Sequence, residues 1–481
     1  MLIMPPYLNP VKYIEGWSLK SNDYGSFPPL GLLYIGTWLT KHTDHEVKLL
    51  DAVSARLSHQ AIRDEIAAFA PDIVGLTTFT VTLVDSLTIS KNVKAISPDI
   101  HVCWGGPHVN AYPAEALAFD EVDSIVLGEG ERVFTELVDA LSEKRTVEGI
   151  RGIKGVYTKP LTGAIDHDAK DVIENLDDLP FPDRSWMPPG RYYTPGMRMA
   201  NATTMMASRG CPYNCVFCSV PHRFRIRSVE NVVEEMVECE RKYGIQEIHF
   251  VDDLFNVTDK RLVEFCEQVI RRNVKIIWGF KGSPKAVSKE SLKLAARAGC
   301  VRAHYGVETY TAEGLKALGK VSTIEEIKKA FALTRAAGIR SIAYMIIGSP
   351  HEKSFEEVTG CIPFIRDLRP DYVVYSLFSP YPESRAFQLG VERGLWDKDA
   401  WQKFMLDPRP DYDLPTAWTE YLSKEQLVKA FRKVNYAFYA HPATLWRTFT
   451  KIRTWAEFKR IIQGGLSLAR LSFIRGKNQA V

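Results

Sequence analysis

The sequence predicts an α/β protein in three parts: an N-terminal doubly wound parallel sheet, a partial (β/α)6 barrel and a helical C-terminal segment. Short apolar runs alternate with amphipathic stretches along most of the chain, a proline-rich segment interrupts this alternation, and three cysteines follow the first strand of the second block. The chain has 481 residues, more than one typical domain, so we expect two or three folded units.

Composition excludes several classes of protein. The chain is 46% hydrophobic and 25% charged, and no stretch approaches the roughly 18 uninterrupted apolar residues that a membrane span needs. The start, MLIMPPYLNP, lacks the basic region and long apolar core of an export signal. With 61 Lys and Arg against 58 Asp and Glu, the net charge is +3. We therefore expect a cytoplasmic protein with no nucleic-acid partner.

The first block, residues 1–150, is predicted to be a Rossmann-like doubly wound sheet. Its strands are the apolar runs Met1–Met4, Val47–Leu50, Ile73–Phe79, Ile100–Trp104 and Ser124–Leu127. Helical spacing occurs between them in Leu30–Lys41, Ser58–Phe69, Val84–Ile96 and Glu131–Ser142. Ligands of such sheets bind at the carboxyl ends of the strands.

Small or glycine-rich residues follow several of these strands. The strand ends carry Pro5-Pro6-Tyr7, Asp51-Ala52, Thr77-Thr78-Phe79, Gly105-Gly106-Pro107-His108 and Gly128-Glu129-Gly130-Glu131. Small residues let a large flat ligand approach the backbone closely. Since no G-x-G-x-x-G follows the first strand, dinucleotide binding is not predicted.

Residues 151–200 are rich in proline with little periodicity, and we interpret them as a linker. In the second block, residues 201–386, the predicted strands are Thr203–Ala207, Glu247–Val251, Lys275–Phe280, Val301–Val307, Ser341–Gly348 and Tyr372–Phe378. The predicted helices are Val229–Tyr243, Asp259–Arg271, Lys289–Ala298, Thr323–Ala337 and Ser354–Leu368. Six βα units predict a partial barrel whose chemistry lies at the strands' C-terminal ends. Residues 387–481 are predicted to be a helical C-terminal domain.

Three of the eight cysteines, Cys211, Cys215 and Cys218, form a C-x3-C-x2-C cluster, which in a cytoplasmic chain indicates metal binding rather than disulfides. Three thiolates can ligate three irons of a [4Fe–4S] cluster and leave the fourth iron open. A zinc site is the alternative, because His222 would supply a fourth ligand. The remaining cysteines lie singly in apolar or helical segments and are interpreted as buried hydrophobes: Cys103, Cys239, Cys266, Cys300 and Cys361.

The cysteine cluster, with Phe217 before its last cysteine, resembles the signature loop of radical S-adenosylmethionine (SAM) enzymes. The wider pattern is similar to the cobalamin-binding branch of that superfamily, which includes the anaerobic magnesium-protoporphyrin ester cyclase, hopanoid C-methylases and many carbon methyltransferases. The segments that carry this resemblance are Pro28–Leu32, Gly105–His108, Ser228–Gly244, His249–Asp253, Gly306–Glu308 and Ile346–Pro350. It covers nearly the whole chain and is poorly specific for the substrate.

The resemblance implies roles for individual residues. The three cysteines would hold a [4Fe–4S] cluster that binds SAM for one-electron cleavage. Asp252 and Asp253 would pair with the SAM amino group, and Glu308 would accept its ribose hydroxyls. The backbone of Ile346–Ser349, including Gly348, would flank adenine. An ordinary structural role at a strand end or turn is the alternative for each of these positions. The residues implied at the cobalamin site are Thr77, Thr78, Gly105, Gly106, Pro107, Gly128 and Glu129.

Two regions leave questions open at this point. His222, Arg223, Arg225 and Arg227 either bind the SAM carboxylate or corrin amides, or simply begin the next helix. The loop Pro5–Pro10 stands where better-known methyl carriers have D-x-H-x-x-G, so no histidine is available below cobalt. The single histidines His42, His45, His59 and His108 are interpreted as surface or turn residues.

The resemblance implies a cobalamin-dependent, oxygen-sensitive radical SAM methyltransferase that acts on an unactivated carbon. A ring-forming oxidation or rearrangement with the same cofactors is the alternative, and a non-catalytic corrinoid or iron–sulfur sensor is a third reading. We expect a small-molecule substrate and an electron donor such as flavodoxin or ferredoxin.

The C-terminal segment has an unusual charge distribution. From His441 to Val481 there are eight Lys or Arg and one acid, Glu457. Apolar residues recur every three or four positions: Trp446, Phe449, Ile452, Trp455, Phe458 and Ile462. This pattern is typical of a helix in a membrane interface, which would favour a lipid or other hydrophobic substrate and peripheral attachment to the inner membrane face. The alternative is that the apolar stripe packs on its own domain.

Overall fold

The computed structural model describes residues 1–9, 26–144, 147–160, 164–168, 170–188, 190–192, 197–455, 458–459 and 462. The chain divides into two compact units. The first unit comprises Met1–Tyr192 and Asp399–Leu414, and the second comprises Tyr193–Lys398 and Pro415–Val481. The predicted boundaries at residues 150, 200 and 386 stay predictions.

The first unit contains a six-stranded sheet of order β2-β1-β3-β4-β5-β6. Its strands are β1 (Leu2–Met4), β2 (Leu49–Asp51), β3 (Ile73–Thr77), β4 (His101–Gly105), β5 (Ser124–Val126) and β6 (Val156–Thr158). The first five strands are parallel, so the predicted doubly wound sheet is confirmed. Strand β6 pairs antiparallel with β5 and lies in the segment that we interpreted as a linker.

Helices cover this sheet because its central strands bury apolar side chains on both faces. Val74, Leu76, Val102 and Trp104 are each at most 2% exposed. The helices of the unit are Leu30–His42, His59–Phe69, Leu83–Ile96, Pro107–Ala111, Pro113–Ala118, Gly130–Ser142, Val147–Arg151 and Ala400–Leu406. Single 3-10 turns occur at Thr80–Thr82, Leu176–Asp178 and Arg184–Trp186.

The helix Ala400–Leu406 belongs to the first unit although it lies far along the chain. It packs on the helix Pro113–Ala118, with Trp401 and Phe404 at most 1% exposed. The Gln402 amide donates a hydrogen bond of 2.5 Å to Glu115 Oε1. The sequence pattern could not show this contact, because its two partners are almost 290 residues apart.

The second unit contains six parallel strands in the order β14-β13-β12-β11-β10-β7. They are β7 (Ala202–Met205), β10 (Glu247–Phe250), β11 (Ile277–Gly282), β12 (Cys300–Glu308), β13 (Arg340–Ile347) and β14 (Tyr372–Leu377). A separate antiparallel ribbon consists of β8 (Ser208–Arg209) and β9 (Arg225–Ile226). The predicted partial (β/α)6 barrel is therefore confirmed.

The helices of this unit follow its strands in alternation. They are Val229–Tyr243, Asp259–Arg271, Lys289–Arg297, Ala312–Ala317, Ile324–Ala336, Phe355–Thr359, Cys361–Leu368, Arg385–Glu392, Lys424–Tyr439 and Pro442–Thr450. The expected single helix Ser354–Leu368 is divided at Gly360. A side chain at Gly360 would place Cβ 2.4 Å from the Tyr310 hydroxyl oxygen, so the Tyr310 side chain would have to shift. Among the described residues, no helix is long and apolar enough to cross a membrane.

Candidate active site

The ribbon β8–β9 closes the cysteine loop, which we define as residues 210–224. Ser208 pairs with Ile226 and Arg209 with Arg225, so both ends of the loop are held together. Gly210 has a φ of +77°, and a Cβ there would lie 2.5 Å from the Arg223 carbonyl oxygen. Only glycine fits this turn. The Cys211 N–H donates to the Pro221 carbonyl at 3.0 Å, which fixes the first cysteine across the loop.

The three cysteines of this loop are partly buried. The Val216 N–H donates to the Leu318 carbonyl, and the Cys218 N–H donates to the Cys215 carbonyl, both at 3.0 Å. The Val220 N–H points at Cys218 Sγ from 3.5 Å. Burial raises the pKa of all three thiols, while the Lys320 ammonium opposes this by lowering each pKa. Three neighbouring sulfurs with a nearby cation and an N–H donor fit the ligand set of a [4Fe–4S] cluster.

Lys320 is a site residue that the sequence analysis missed. Its Nζ lies 3.2 Å from Glu308 Oε1. Burial lowers the pKa of Lys320, but the Glu308 carboxylate and the thiols of Cys215 and Cys211 more than offset this, so its pKa is raised overall. The ammonium therefore stays protonated beside the cysteine loop. No family motif marks Lys320, which follows the turn at Gly319.

Glu308 ends strand β12 in a strained position. It is 8% exposed and has a φ of +65°, after a register shift in the pairing with β13. A side chain at Gly306 would place Cβ 2.3 Å from Glu308 Oε1, so the glycine leaves room for the carboxylate. Non-glycine residues in this region of φ are rare and cluster at functional sites. The predicted contact with ribose stays a prediction.

The two aspartates after β10 differ in their surroundings. Asp252 is 2% exposed and accepts the Ala207 N–H at 3.0 Å and the Ser208 hydroxyl. Burial raises its pKa to about 6. Asp252 thus holds the strand that enters the cysteine loop.

Asp253, in contrast, has an exposed side chain. Desolvation by the surrounding protein raises its pKa, and the Lys281 ammonium partly opposes this. Its charge also acts on the Cys211 and Cys218 thiols, so it lies near the cysteine loop. Of the two carboxylates predicted to pair with the SAM amino group, Asp253 is the one left open to a ligand.

The loop after β13 is fixed from within. Gly348 has a φ of +71°. The Glu352 carboxylate is 4% exposed and accepts the Ser349 N–H at 3.0 Å and its hydroxyl at 3.1 Å. Burial raises the pKa of Glu352 to about 7. His351 Nε2 lies 3.2 Å from Thr309 Oγ1, which joins this loop to the end of β12. The end of the backbone predicted to flank adenine is therefore held at Ser349 by the Glu352 carboxylate.

The basic residues after the cysteines have different positions. His222 and Arg223 are exposed, whereas Arg227 is 2% exposed. Arg227 donates to Glu235 and, at 2.8 Å, to the Met206 carbonyl, so it anchors the helix Val229–Tyr243. Within the described ranges, no three His, Cys, Asp or Glu side chains converge on a single metal ion. A [4Fe–4S] cluster does not need such convergence, because each cysteine binds a different iron.

The inner face of the half-barrel is polar, which the sequence analysis did not predict. Glu247 on β10 and Arg302 on β12 form a buried ion pair across the intervening strand β11. The rings of His249 and His304 are 4.8 Å apart, and His304 Nδ1 lies 3.0 Å from the Tyr344 hydroxyl. Burial lowers the pKa of both histidines far below its usual value, so both imidazoles are neutral.

In the first unit, the ends of β3 and β4 meet as predicted. Thr77 pairs with Gly105, and the Thr78 N–H donates to the Gly105 carbonyl at 2.7 Å. Gly106 has a φ of +103°, and a Cβ there would lie 2.9 Å from Thr78 backbone atoms. At Gly105, in contrast, the nearest atom to an added Cβ is 3.6 Å away. Gly106 therefore makes the turn, whereas Gly105 has room for a Cβ in ordinary van der Waals contact with the Val126 carbonyl oxygen.

We define Thr77, Thr78, Gly105, Gly106 and Pro107 as the strand-end site. The absence of a side chain at Gly105 next to a strand end fits a large flat cofactor that lies against the backbone. Pro107 begins the helix Pro107–Ala111 directly after the glycine turn.

The other two residues implied at this site bind a neighbouring segment. A Cβ on Gly128 would lie 2.6 Å from the Asp171 carbonyl oxygen, and Glu129 Oε2 accepts the Ile173 N–H at 2.8 Å. Both therefore hold residues 171–173 against the sheet. Their role toward a cofactor stays a prediction.

The loop after β1 is described over residues 5–9, whereas Pro10 lies outside the described residues. Asp85 is fully buried and accepts the backbone N–H groups of Leu8 and Asn9, each at 3.1 Å. His59 Nε2 lies 2.9 Å from the same carboxylate. The loop that replaces D-x-H-x-x-G is thus fixed by one buried acid.

One of the four histidines interpreted as surface or turn residues, His108, is buried. His42 is exposed, and His45 pairs with Asp139 in a partly exposed position. His108, which we interpreted as a surface or turn residue, is 2% exposed, and burial lowers its pKa to about 4. His59 is half-buried through its contact with Asp85. These burials depend on segments distant in sequence.

Comparison with known proteins identifies both units. Residues 17–138 match the B12 binding domain, and residues 205–359 match the Radical SAM superfamily. The chain is 32% identical over 454 residues to an uncharacterized methyltransferase of Pyrococcus horikoshii, which covers 92% of this chain and 93% of the relative.

Two further matches bear on activity and fold. The chain is 29% identical over 395 residues to the anaerobic magnesium-protoporphyrin IX monomethyl ester cyclase of Rubrivivax gelatinosus, covering 80% of this chain and 71% of the cyclase. A solved radical SAM methyltransferase from Kitasatospora setae, with cobalamin and a [4Fe–4S] cluster bound, superposes with a TM-score of 0.64 at 20% identity. That match covers 82% of this chain and 77% of the other, and supports the fold.

Proposed function

The chain belongs to the radical SAM superfamily and carries a B12-binding domain, and from this we propose that it is a methyltransferase acting on an unactivated carbon. The observation that carries the proposal is the cysteine loop closed by the ribbon β8–β9, with Lys320, Glu308 and Asp253 around it. The cofactors are a [4Fe–4S] cluster, SAM and cobalamin. When bound, they supply one-electron cleavage of SAM and transfer of a methyl group.

The residues around the cysteine loop have separate roles in binding the cluster and SAM. Cys211, Cys215 and Cys218 hold the cluster as thiolates, and the Lys320 ammonium stabilises their negative charge. Lys320 also fixes Glu308 through the contact of 3.2 Å, and the carboxylate keeps acceptor capacity for ribose hydroxyls. Asp253 presents a carboxylate that can pair with the SAM ammonium.

In the first unit, the strand-end site would receive cobalamin over Gly105. Residues 5–9 contain no histidine, so the loop after β1 has no imidazole to offer cobalt. We expect the bound Co(II) form to show no nitrogen hyperfine splitting from a protein histidine. Hyperfine splitting from a histidine nitrogen would contradict the prediction that the loop after β1 leaves cobalt without a histidine ligand.

A ring-forming oxidation or rearrangement is the second candidate, and the similarity to the protoporphyrin ester cyclase favours it. The two reactions consume SAM differently. Methyl transfer yields S-adenosylhomocysteine together with 5′-deoxyadenosine, whereas oxidation or rearrangement yields 5′-deoxyadenosine without stoichiometric S-adenosylhomocysteine.

Anaerobically reconstituted protein, supplied with SAM, cobalamin and a reductant, distinguishes the two. Chromatography should detect both products over time if the chain is a methyltransferase. Formation of 5′-deoxyadenosine alone would support the second candidate, and formation of neither would contradict both. We also propose a cytoplasmic location and a low-potential electron donor such as flavodoxin or ferredoxin. The same assay tests the donor when flavodoxin or ferredoxin replaces the chemical reductant.

A specific observation also favours peripheral membrane attachment. In the described part of the C-terminal segment, Trp446, Phe449 and Trp455 are 73%, 52% and 68% exposed, so these members of the apolar stripe do not pack on their own domain. Arg447 donates to the Pro370 carbonyl and Lys451 pairs with Asp371, which holds the helix Pro442–Thr450 to the unit. Most of residues 456–481 lie outside the described residues.

We therefore propose that this exposed aromatic surface contacts an anionic bilayer and that the substrate is hydrophobic. Co-sedimentation with phosphatidylserine vesicles should retain the protein at low salt and release it as salt increases. The double variant Trp446→Ser, Trp455→Ser should stay in the supernatant, whereas Trp396→Phe, at a partly buried position packed against the core, should behave as wild type. Wild-type protein that remains in the supernatant at low salt would contradict the proposal.

A further inference from the structure

Lys281, on strand β11, lies on the inner face of the half-barrel. The preceding residue, Phe280, is fully buried and its ring contacts that of Tyr305, which packs on the helix Ile324–Ala336. Since successive side chains of a strand point to opposite faces, Lys281 points away from this helix. The ladder pairs Lys281 with His304 of β12, so the two side chains lie next to each other on the inner face.

The ammonium of Lys281 has no partner in contact. It forms no hydrogen bond or ion pair with any residue that the structure describes. Burial lowers the pKa of Lys281, and the charges of Asp253 and Asp252 oppose this without a hydrogen bond. Arg302 and Lys320, in contrast, each form an ion pair with a glutamate. Of these three cations, Lys281 is the one left to bind an anion from outside the chain.

The two lysines of the site act on different surroundings. Burial raises the pKa of the three cysteine thiols, and the Lys320 ammonium opposes this. Burial lowers the pKa of His249 and His304, and the Lys281 ammonium lowers it further. Lys320 therefore lies with the cluster, whereas Lys281 lies with the imidazoles of the inner face.

Binding of SAM would remove the main counter-charge of Lys281. Asp253 is the carboxylate that acts most strongly on this ammonium, and it is also the one that we propose pairs with the SAM ammonium. Asp252 already accepts the Ala207 N–H and the Ser208 hydroxyl. An anion bound beside Lys281 would replace the lost counter-charge and favour the protonated ammonium.

The inner face is open to solvent and becomes apolar toward β14. Lys281, His304 and Tyr344 are half-buried. Val374 of β14 is 41% exposed, although both adjacent residues of the strand are at most 4% exposed, and the ladder pairs it with Tyr344. From β11 to β14 the sheet has three strand spacings, about 14 Å at 4.8 Å each. A ligand across this face would meet a cation at one end and an apolar side chain at the other.

We propose that Lys281 binds an anionic group of the substrate, whose apolar body lies across the inner face toward Val374. The substrate class is then a hydrophobic molecule with a carboxylate or phosphate group. The proposal rests on the proposed function, because it presupposes a substrate bound in the half-barrel beside the cluster and SAM. It assigns Lys281 as a specificity-determining residue.

The probes are decanoate, decyl phosphate and the neutral decanamide. Each is titrated by calorimetry into the anaerobic full chain loaded with its cluster and SAM, without reductant. The probes have similar apolar chains and differ in the head group. Wild-type protein should bind at least one of the two anions about tenfold more tightly than decanamide, as expected for a hydrogen bond between charged groups. The anion that binds more tightly identifies the head group.

Lys281→Met removes the charge and keeps an unbranched side chain. The affinities for the preferred anion and for decanamide should then lie within about threefold of each other, because the charged hydrogen bond is lost. Iron content, melting temperature and the affinity for SAM in equilibrium dialysis should equal those of wild type. Lys285→Met is the matched control: it removes a nearby exposed lysine and should keep the wild-type ratio.

Val374→Ser tests the apolar end of the inner face. It should weaken binding of all three probes by about three- to tenfold, because each loses apolar contact, and leave their ratio unchanged. The double variant Trp446→Ser, Trp455→Ser removes the exposed aromatic surface of the C-terminal segment instead. It should bind all three probes as wild type does.

The proposal is overturned if wild type binds neither anion more tightly than decanamide, or if Lys281→Met keeps the wild-type ratio. Weaker SAM binding by Lys281→Met with an unchanged ratio would assign the lysine to the SAM carboxylate and likewise overturn it. Wild-type affinities in Val374→Ser would contradict the position of the apolar body. Failure of the proposed function has a different signature, because reconstituted protein would then form neither 5′-deoxyadenosine nor S-adenosylhomocysteine.

Discussion

The cysteine loop and the strand-end site differ in the residues that form them: ionisable side chains surround the first, and glycines form the second. Around the cysteine loop, buried ionisable groups pair with each other or with backbone N–H groups, as Asp252, Glu308, Lys320 and Glu352 do. At the strand-end site, the important feature is that Gly105 and Gly106 have no side chains. Substitutions around the cysteine loop are therefore expected to change charge and protonation, whereas substitutions at the strand-end site are expected to change the shape of the space left for a ligand.

The largest expected effect is loss of the cluster. Alanine at Cys211, Cys215 and Cys218 together should leave a folded protein with almost no iron, against about four irons per chain in wild type. Replacing the buried Cys239 or Cys361 with alanine should not change the iron content, because neither lies in the cysteine loop. Triple-variant protein that keeps about four irons, or wild type that binds zinc instead, would contradict the assignment.

The two glycines of the strand-end site should separate shape from backbone strain. Gly105→Leu adds a side chain whose Cβ meets only the Val126 carbonyl oxygen, at 3.6 Å, so cobalamin retention should fall by more than about 100-fold while the melting temperature stays near that of wild type. Gly106→Leu is expected instead to destabilise the unit by about 1–3 kcal/mol, because its φ of +103° and its contact with Thr78 exclude a side chain. Calorimetry with and without cobalamin measures both effects, and equal losses of stability in the two variants would remove the distinction.

The Lys320–Glu308 pair tests whether charge organises the cysteine loop. Lys320→Met should lower the free energy of unfolding by about 3 kcal/mol, because it leaves the Glu308 carboxylate buried without a counter-charge. The double variant Lys320→Met, Glu308→Gln should recover most of that loss. Urea denaturation of cluster-free protein under reducing conditions measures both; a double variant no more stable than Lys320→Met would show that the pair does not act as a unit.

A further expected effect is the pH dependence contributed by Asp252, whose pKa is raised by burial from 3.8 to about 6. Since the folded state then holds its proton more tightly than the unfolded state, the carboxyl stabilises the fold at low pH. This contribution is lost as pH rises from about 4 to above 6.

Relative to Asp252→Asn, wild-type protein should therefore lose about 3 kcal/mol of unfolding free energy across this range, at 1.36 kcal/mol per pKa unit. Denaturation at a series of pH values compares the two proteins. Parallel curves would show that Asp252 does not titrate there.

The sequence by itself determined the order of elements in both units. Uninterrupted apolar runs such as Ile73–Phe79 predict strands buried on both faces, and C-x3-C-x2-C predicts a cluster loop, because these signals are local in the chain. They placed every parallel strand of the two six-stranded sheets. They missed β6, a three-residue strand at a sheet edge whose pairing with β5 has no periodic signature.

How the predicted residues are used depends on the folded structure. It assigned Asp252 to holding the entry of the cysteine loop and left Asp253 exposed, although the two are adjacent in sequence. It also brought Lys320 to Glu308. The physical reason is that a side chain's protonation and bonding depend on what packs against it, and those neighbours come from distant parts of the chain.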